Sequence, residues 1–312
     1  MDDWRKRAAA TSPGRRCGLA AALASLAAAG ALAGPGEAAA YTAAGDRSFP
    51  ATIVLPQIAP SDEIYLTPST QPLRATTPGA ADRQTNLDVT YDKTITDRWG
   101  LSLEDGYSWL HRLGAPTQNG APNLQATVQY LILDNQPHEF LLSAGVTREF
   151  GDTGARRAGA DESGATTPAI FFGKGLGDLD IGYLRPLAVT GTFGFQAADP
   201  GGRASLWQGG IAIEYSLPYL ESKVQAVALP DFLRSVTPIV EMFFATPTRS
   251  GHGAATTGVV APGFNYAGEG WDFGLEALVP TTHAAGSGVG VAAQFHLSLD
   301  FLFPDSIGRP LF

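Results

Sequence analysis

Cysteine is almost missing from this chain: its one residue, Cys17, lies near the N-terminus inside an apolar run. Without a second thiol there is no internal disulfide, and cysteine-ligated metals and paired-thiol redox sites are excluded. Charge is also scarce, at 16% of the 312 residues, and the formal balance is acidic at -9. That balance argues against nucleic acid as a partner, because binding phosphates needs a basic face, and no basic cluster occurs beyond the N-terminus. Nothing after Tyr41 has the period of a long amphipathic helix. Glycine is abundant instead, with 37 residues, and this suits many strands and turns.

The N-terminus has the layout of an export signal. Arg5, Lys6, Arg7, Arg15 and Arg16 precede the apolar run "CGLAAALASLAAAGALAG", and small residues at Ala38 and Ala40 offer cleavage before Tyr41. The expected organisation is a signal peptide over 1–40, an N-terminal extension over 41–61, a barrel over 62–303 and a tail over 304–312. Cys17 would leave with the signal, so the mature chain would carry no thiol.

From Asn86 onward the dominant period is two. In "NLDVTYD" the residues Leu87, Val89 and Tyr91 alternate with Asp88, Thr90 and Asp92, and in "WDFGLEALV" Trp271, Phe273, Leu275, Ala277 and Val279 stand opposite Asp272, Gly274 and Glu276. Alternation gives one apolar and one polar face. The pattern predicts strands at 62–67, 85–94, 98–110, 122–134, 137–150, 167–174, 179–197, 204–217, 234–246, 255–266, 270–280 and 288–302. Each has about the length of a tilted membrane-crossing strand.

Short links such as "DNQP" and "AGEG" alternate with long polar ones such as "GDTGARRAGADESGATT", and aromatics gather near strand ends. A soluble sandwich would spread its aromatics through a shared core. Together these features predict an all-β fold, an antiparallel transmembrane β-barrel of about twelve strands in an outer membrane, contacting its lipid and the barrel-assembly machinery. The link "PYLESKVQAVALPDFLRS" breaks the rule, being long on the short side.

In the last strand Phe295, Leu297, Leu299, Phe301 and Phe303 continue the apolar row, and this is the expected assembly strand. Pro304 and Pro310 keep Phe312 out of regular pairing, leaving it as a second anchor or an apolar end.

The segments "FFGKGLGDL", "LRPLAVTGTFGF", "GIAIEYSLPYL", "VTPIVEMFFATP", "GLEALVP" and "FLFPDSIGRPLF" resemble a proteobacterial group of outer-membrane barrels. That group is similar to the transporter-like family named after the meta-pathway of phenol degradation. The resemblance spans about Asp62 to Phe312 and implies an outer-membrane location and passage of small organic molecules, hydrophobic or aromatic ones among them. It supplies no catalytic residues.

If the apolar face meets lipid, Asp88, Glu104, Gln129, Glu214, Glu241, Asp272, Glu276, Gln294 and His296 point into the lumen. As a set they predict an acidic passage for small solutes; singly each could be a solvated or ion-paired interior residue, with Lys93, Arg98, Arg185 and Arg234 as partners. His296 and Ser298 share a face, a local arrangement that resembles the outer-membrane phospholipase, but the asparagine-containing segment that follows the serine there has no counterpart in Leu299 and Asp300. "GKGLGD" lacks the phosphate-loop spacing and predicts an interstrand turn with Gly173, Gly175 and Gly177 at positive φ. The other histidines have no metal-ligand spacing, so no cofactor, metal or catalytic group is assigned. The expected function is a small-solute channel; the alternatives are a non-conducting structural or surface-interaction barrel and, third, a barrel-based esterase.

Overall fold

A computed structural model describes residues 42–73, 82–249 and 255–312. The signal segment and His252 lie outside the described residues.

The strands in chain order are β1 (Thr42–Ala44), β2 (Arg47–Phe49), β3 (Glu63–Leu73), β4 (Asp82–Thr94), β5 (Trp99–His111), β6 (Gln118–Gly120), β7 (Gln125–Asn135), β8 (Phe140–Glu149), β9 (Ala165–Gly175), β10 (Leu187–Ala198), β11 (Leu206–Tyr215), β12 (Val236–Pro247), β13 (Thr257–Ala267), β14 (Trp271–Pro280) and β15 (Gly290–Ser298). Setting aside the short β1, β2 and β6, each long strand pairs antiparallel with its chain neighbours. The circle closes where β15 pairs with β3, Ser298 opposite Glu63 and His296 opposite Tyr65. The result is a closed twelve-stranded antiparallel barrel with no free edge to pair with another chain. No helix among the described residues is long and apolar enough to cross a membrane.

The period of two sorts the side chains. Val128, Val146, Ile170, Phe193, Ile213, Val240 and Leu275 stand exposed outside, while their strand neighbours turn inward. Trp99 and Trp271 open β5 and β14 at one rim, and Trp109 and Trp207 lie near the other, where Trp207 stacks on Phe193 at 5.5 Å. Two aromatic girdles bounding an apolar band are the exterior of a barrel in lipid. Proline interrupts the ladder at Pro68 and Pro168, where the pairs around them are missing because proline has no N–H to give.

The closing strand departs from expectation. It ends at Ser298, and Leu299–Leu302 form one helical turn, so Leu299, Phe301 and Phe303 are not strand residues. The partner strand begins only at Glu63, and the last carbonyl offered, that of Asp62, takes the N–H of Leu299 at 2.8 Å. Asp300 then accepts from the Ser298 hydroxyl and the Phe301 N–H, which turns the chain. Leu299 is buried, whereas Phe301 and Phe303 are exposed. The tail runs under the rim, the Phe312 N–H reaching the Ile95 carbonyl at 3.0 Å with the ring in the open.

The "GKGLGD" glycines also differ from expectation. Gly173 and Gly175 belong to β9, and none of Gly173, Gly175 and Gly177 has positive φ. They are small for another reason. A Cβ at Gly173 would run into Phe49 and Ile58, at Gly175 into Glu139 and Arg47, and at Gly177 into Glu139 and Tyr219.

Candidate functional site

The lumen is occupied by the chain's own N-terminal segment. β1 and β2 form a hairpin at the rim that carries both ends of the barrel, with Gly45 in the turn at φ 61, and residues 50–62 then run inside the barrel to the start of β3. Pro50, Pro56 and Pro60 deny this stretch a strand ladder, so its polar groups must be met by side chains of the wall.

Glu241 meets three of them. Its carboxylate accepts the backbone N–H groups of Ile53 at 2.6 Å, Val54 at 3.0 Å and Leu55 at 2.8 Å. Gln129 donates to the Gln57 carbonyl at 3.1 Å, and Gln294 to the Thr52 carbonyl at the same distance. Apolar packing completes the seat. Phe49, Ile58 and Ala59 share a buried cluster with Leu141, Phe171 and Ala188 of the wall, and Leu55 packs with Ala212 and Ile239. These inward apolar residues break the simple rule of polar inside and apolar outside.

A second anchor lies at the hairpin. Arg47, 1% exposed, pairs with Glu139 at 3.3 Å, lies over the Tyr219 ring at 4.0 Å and donates to the carbonyls of Pro186 and Arg185. Tyr219 belongs to the long link after β11, whose role the pattern left open. The link closes beneath the plug, with Lys223 pairing with Asp46 at 2.7 Å.

Of the nine residues expected in the lumen, Asp88, Glu104, Gln129 and Gln294 line the cavity. Gln129, Glu214, Glu241, Asp272, Glu276, Gln294 and His296 are buried, and Asp88 and Glu104 are half-buried beside open space. They do not form one cluster. Glu241 and Glu276 form a neighbouring pair beside Ala212, Ala261 and Ala292, whose small side chains leave room for carboxyl groups. His296 stands between two carboxylates, with Nδ1 2.8 Å from Asp272 and Nε2 3.5 Å from Glu63, and its ring stacks on Tyr65 at 4.7 Å.

The expected cation partners go elsewhere. Lys93 pairs with Asp62, Arg98 and Arg185 reach backbone carbonyls, and Arg234 pairs with Glu221. Nor do His296 and Ser298 form a nucleophile and base, since Ser298 donates to Asp300 while His296 is engaged by Asp272 and Glu63.

Beside the plug the lumen keeps a cavity of about 350 Å³, lined by Thr52 to Gln57 of the plug and by the inner faces of the wall. Hydroxyls and amides dominate its wall, among them Thr90, Thr127, Gln125 and Gln208, with Tyr65, Phe171 and Phe243 as its aromatic members.

Comparison with known proteins gives a fold. A COG4313 outer-membrane channel from Pseudomonas putida F1 superposes with a TM-score of 0.54 at 12% identity, over 80% of this chain and 99% of that one. KdgM porin, in complex with disordered oligogalacturonate, gives a TM-score of 0.44 at 13% identity, over 76% and 98% of the two chains. LpxR from Salmonella typhimurium gives 0.40 at 10%, over 75% and 99%. The barrel is of the outer-membrane kind. No family model matches the sequence, and no curated protein matches it.

Proposed function

We propose that this protein is a passive outer-membrane channel for small solutes, narrowed by its own N-terminal segment. The observation that carries the reading is a polar cavity enclosed by a closed barrel whose outside is apolar and aromatic-belted. A wall of hydroxyls, amides and carboxylates offers a solute the contacts it loses with water. Tyr65, Phe171 and Phe243 give the same cavity room for the apolar part of an organic molecule, which supports an organic solute. By the usual sidedness of such barrels, the rim with both ends faces the periplasm and the long loops face outward. No reaction is assigned, because the residues brought together do not include an activated nucleophile.

The plug favours a second reading, a barrel closed in its resting state that serves as a structural or loop-presenting protein. Planar-bilayer recording decides between them. The channel reading expects small discrete steps from the full chain and larger ones from a chain lacking residues 42–61. If neither conducts while both remain heat-modifiable barrels, the channel reading falls and the closed barrel stands.

A further inference from the structure

Three carboxylates of the cavity wall surround one threonine, and among the described residues none of them has a salt-bridge partner. Asp88 and Asp92 lie two residues either side of Thr90 on β4, and Glu104 of β5 stands directly opposite Thr90 in the ladder. All four line the cavity. Among the described residues none of Asp88, Asp92 and Glu104 takes part in an ion pair; the only hydrogen bond to Glu104 comes from Gln125, at the long distance of 3.5 Å. Like charges on one wall repel, and within an enclosed lumen that repulsion is screened less than at an open surface.

Two further observations point to a missing donor. Asp92, 7% exposed, has a buried Oδ1 without a hydrogen-bond partner, although the Ser102 hydroxyl opposite it in the ladder serves the carboxyl group. Gln294, 5% exposed, is in the same condition at Oε1, and its orientation is set because Nε2 donates to the Thr52 carbonyl and the Thr67 hydroxyl. Both side chains line the cavity. Buried acceptors are rarely left without donors. Room for the wall is provided as well: opposite Asp88 stands Gly106, where a Cβ would lie 2.9 Å from the Asp88 carboxylate.

The spacing selects the kind of cation. Successive inward residues of a strand are about 6.7 Å apart, so Asp88 and Asp92 are separated by roughly 13 Å of strand. A metal ion needs its oxygens within about 2.6 Å of one point, and no group of three such side chains converges in that way among the described residues. A row of spaced acceptors fits spaced N–H donors instead.

We propose that this wall binds a small organic cation with more than one N–H donor group, such as a diammonium or amidinium compound. Asp88, Asp92 and Glu104 take its charged groups, the Gln294 carbonyl oxygen takes a further N–H, and Phe171 and Phe243 flank its hydrocarbon part. The proposal rests on the channel reading and names its solute class.

The test is titration calorimetry on the full refolded barrel in detergent, which does not depend on conduction. The probe is 1,4-diaminobutane, with 1,4-butanediol as its uncharged counterpart and calcium chloride as the metal alone. The diamine should bind at least tenfold more tightly than the diol, and D88N, D92N and E104Q should each weaken it by about tenfold. Glu149→Gln is the control. Its carboxylate lines the same cavity but is already held by Arg203 and Asn123, so diamine binding should change less than twofold. Equal binding of diol and diamine, wild-type affinity in all three wall variants, or calcium binding that needs the wall while the diamine does not bind would each overturn the proposal. A barrel that conducts but ignores the diamine sinks this inference alone; one that binds it through the wall but never conducts sinks the channel reading and supports the site.

Discussion

Glu241 accepts the backbone N–H of Leu55 at 2.8 Å, joining residues 186 apart in the chain, and the same carboxylate holds the N–H groups of Ile53 and Val54. One side chain thus replaces the ladder that the plug's prolines prevent. Glu241→Ala leaves three donors unmet. A buried unmet donor costs about 1–3 kcal/mol, so the segment should leave the wall for water in part of the population. Bilayer recordings should show the open fraction or step size raised by on the order of tenfold, with Glu241→Gln intermediate because its one oxygen still accepts. Unchanged traces in the alanine variant would mean that this carboxylate does not hold the plug.

Arg47 anchors the other end. Removing one partner of a buried ion pair costs about 3–5 kcal/mol, and Arg47→Ala also loses the Tyr219 contact and two carbonyl bonds. Protease should then cut within residues 42–62 while the barrel stays intact on a gel. Lysine should not rescue, since it lacks the planar fork that serves several acceptors at once; full protection in Arg47→Lys would count against this account.

Gly173 provides an independent test by crowding. A Cβ there would lie 3.2 Å from the Phe49 ring and closer still to Ile58. Gly173→Leu should expel the plug and raise conductance while leaving the outer face of β9 untouched. A variant that conducts like wild type would show that the plug shifts without leaving.

Acid should loosen the opposite rim. Arg148 holds Asp199 in the loop after β10 through two hydrogen bonds, at 2.8 and 2.6 Å, and these keep the Asp199 carboxyl below its ordinary range. A carboxyl lowered on folding contributes fully above its unfolded value and loses that contribution as pH falls through the folded one, so the clamp should fade below about pH 4. A spin label at Ala204→Cys should gain mobility there, and Arg148→Met should be mobile already at neutral pH. A label no more mobile in Arg148→Met than in wild type at pH 7 would remove the clamp.

Much of this is legible in the sequence. Alternation in "WDFGLEALV" marked Asp272 and Glu276 as inward and Phe273 and Leu275 as outward, and the structure has them so. The plug was not legible, although a signal was present: Leu141, Phe171, Ile239 and Phe243 are apolar at inward positions, where a water-filled lumen would not need them.

The sequence by itself determined the barrel and its strand order, because a period of two and the cost of an unpaired edge in lipid leave few other solutions. It also marked polar side chains such as Asp272 and Glu276 for the inner face. Only the tertiary structure decided what they meet there. Curvature brings residues from distant strands around one axis, so Glu241 finds the amides of 53–55, and the closing strand stops where β3 no longer offers a partner. These are long-range meetings, and no local pattern encodes a contact between positions separated by most of the chain.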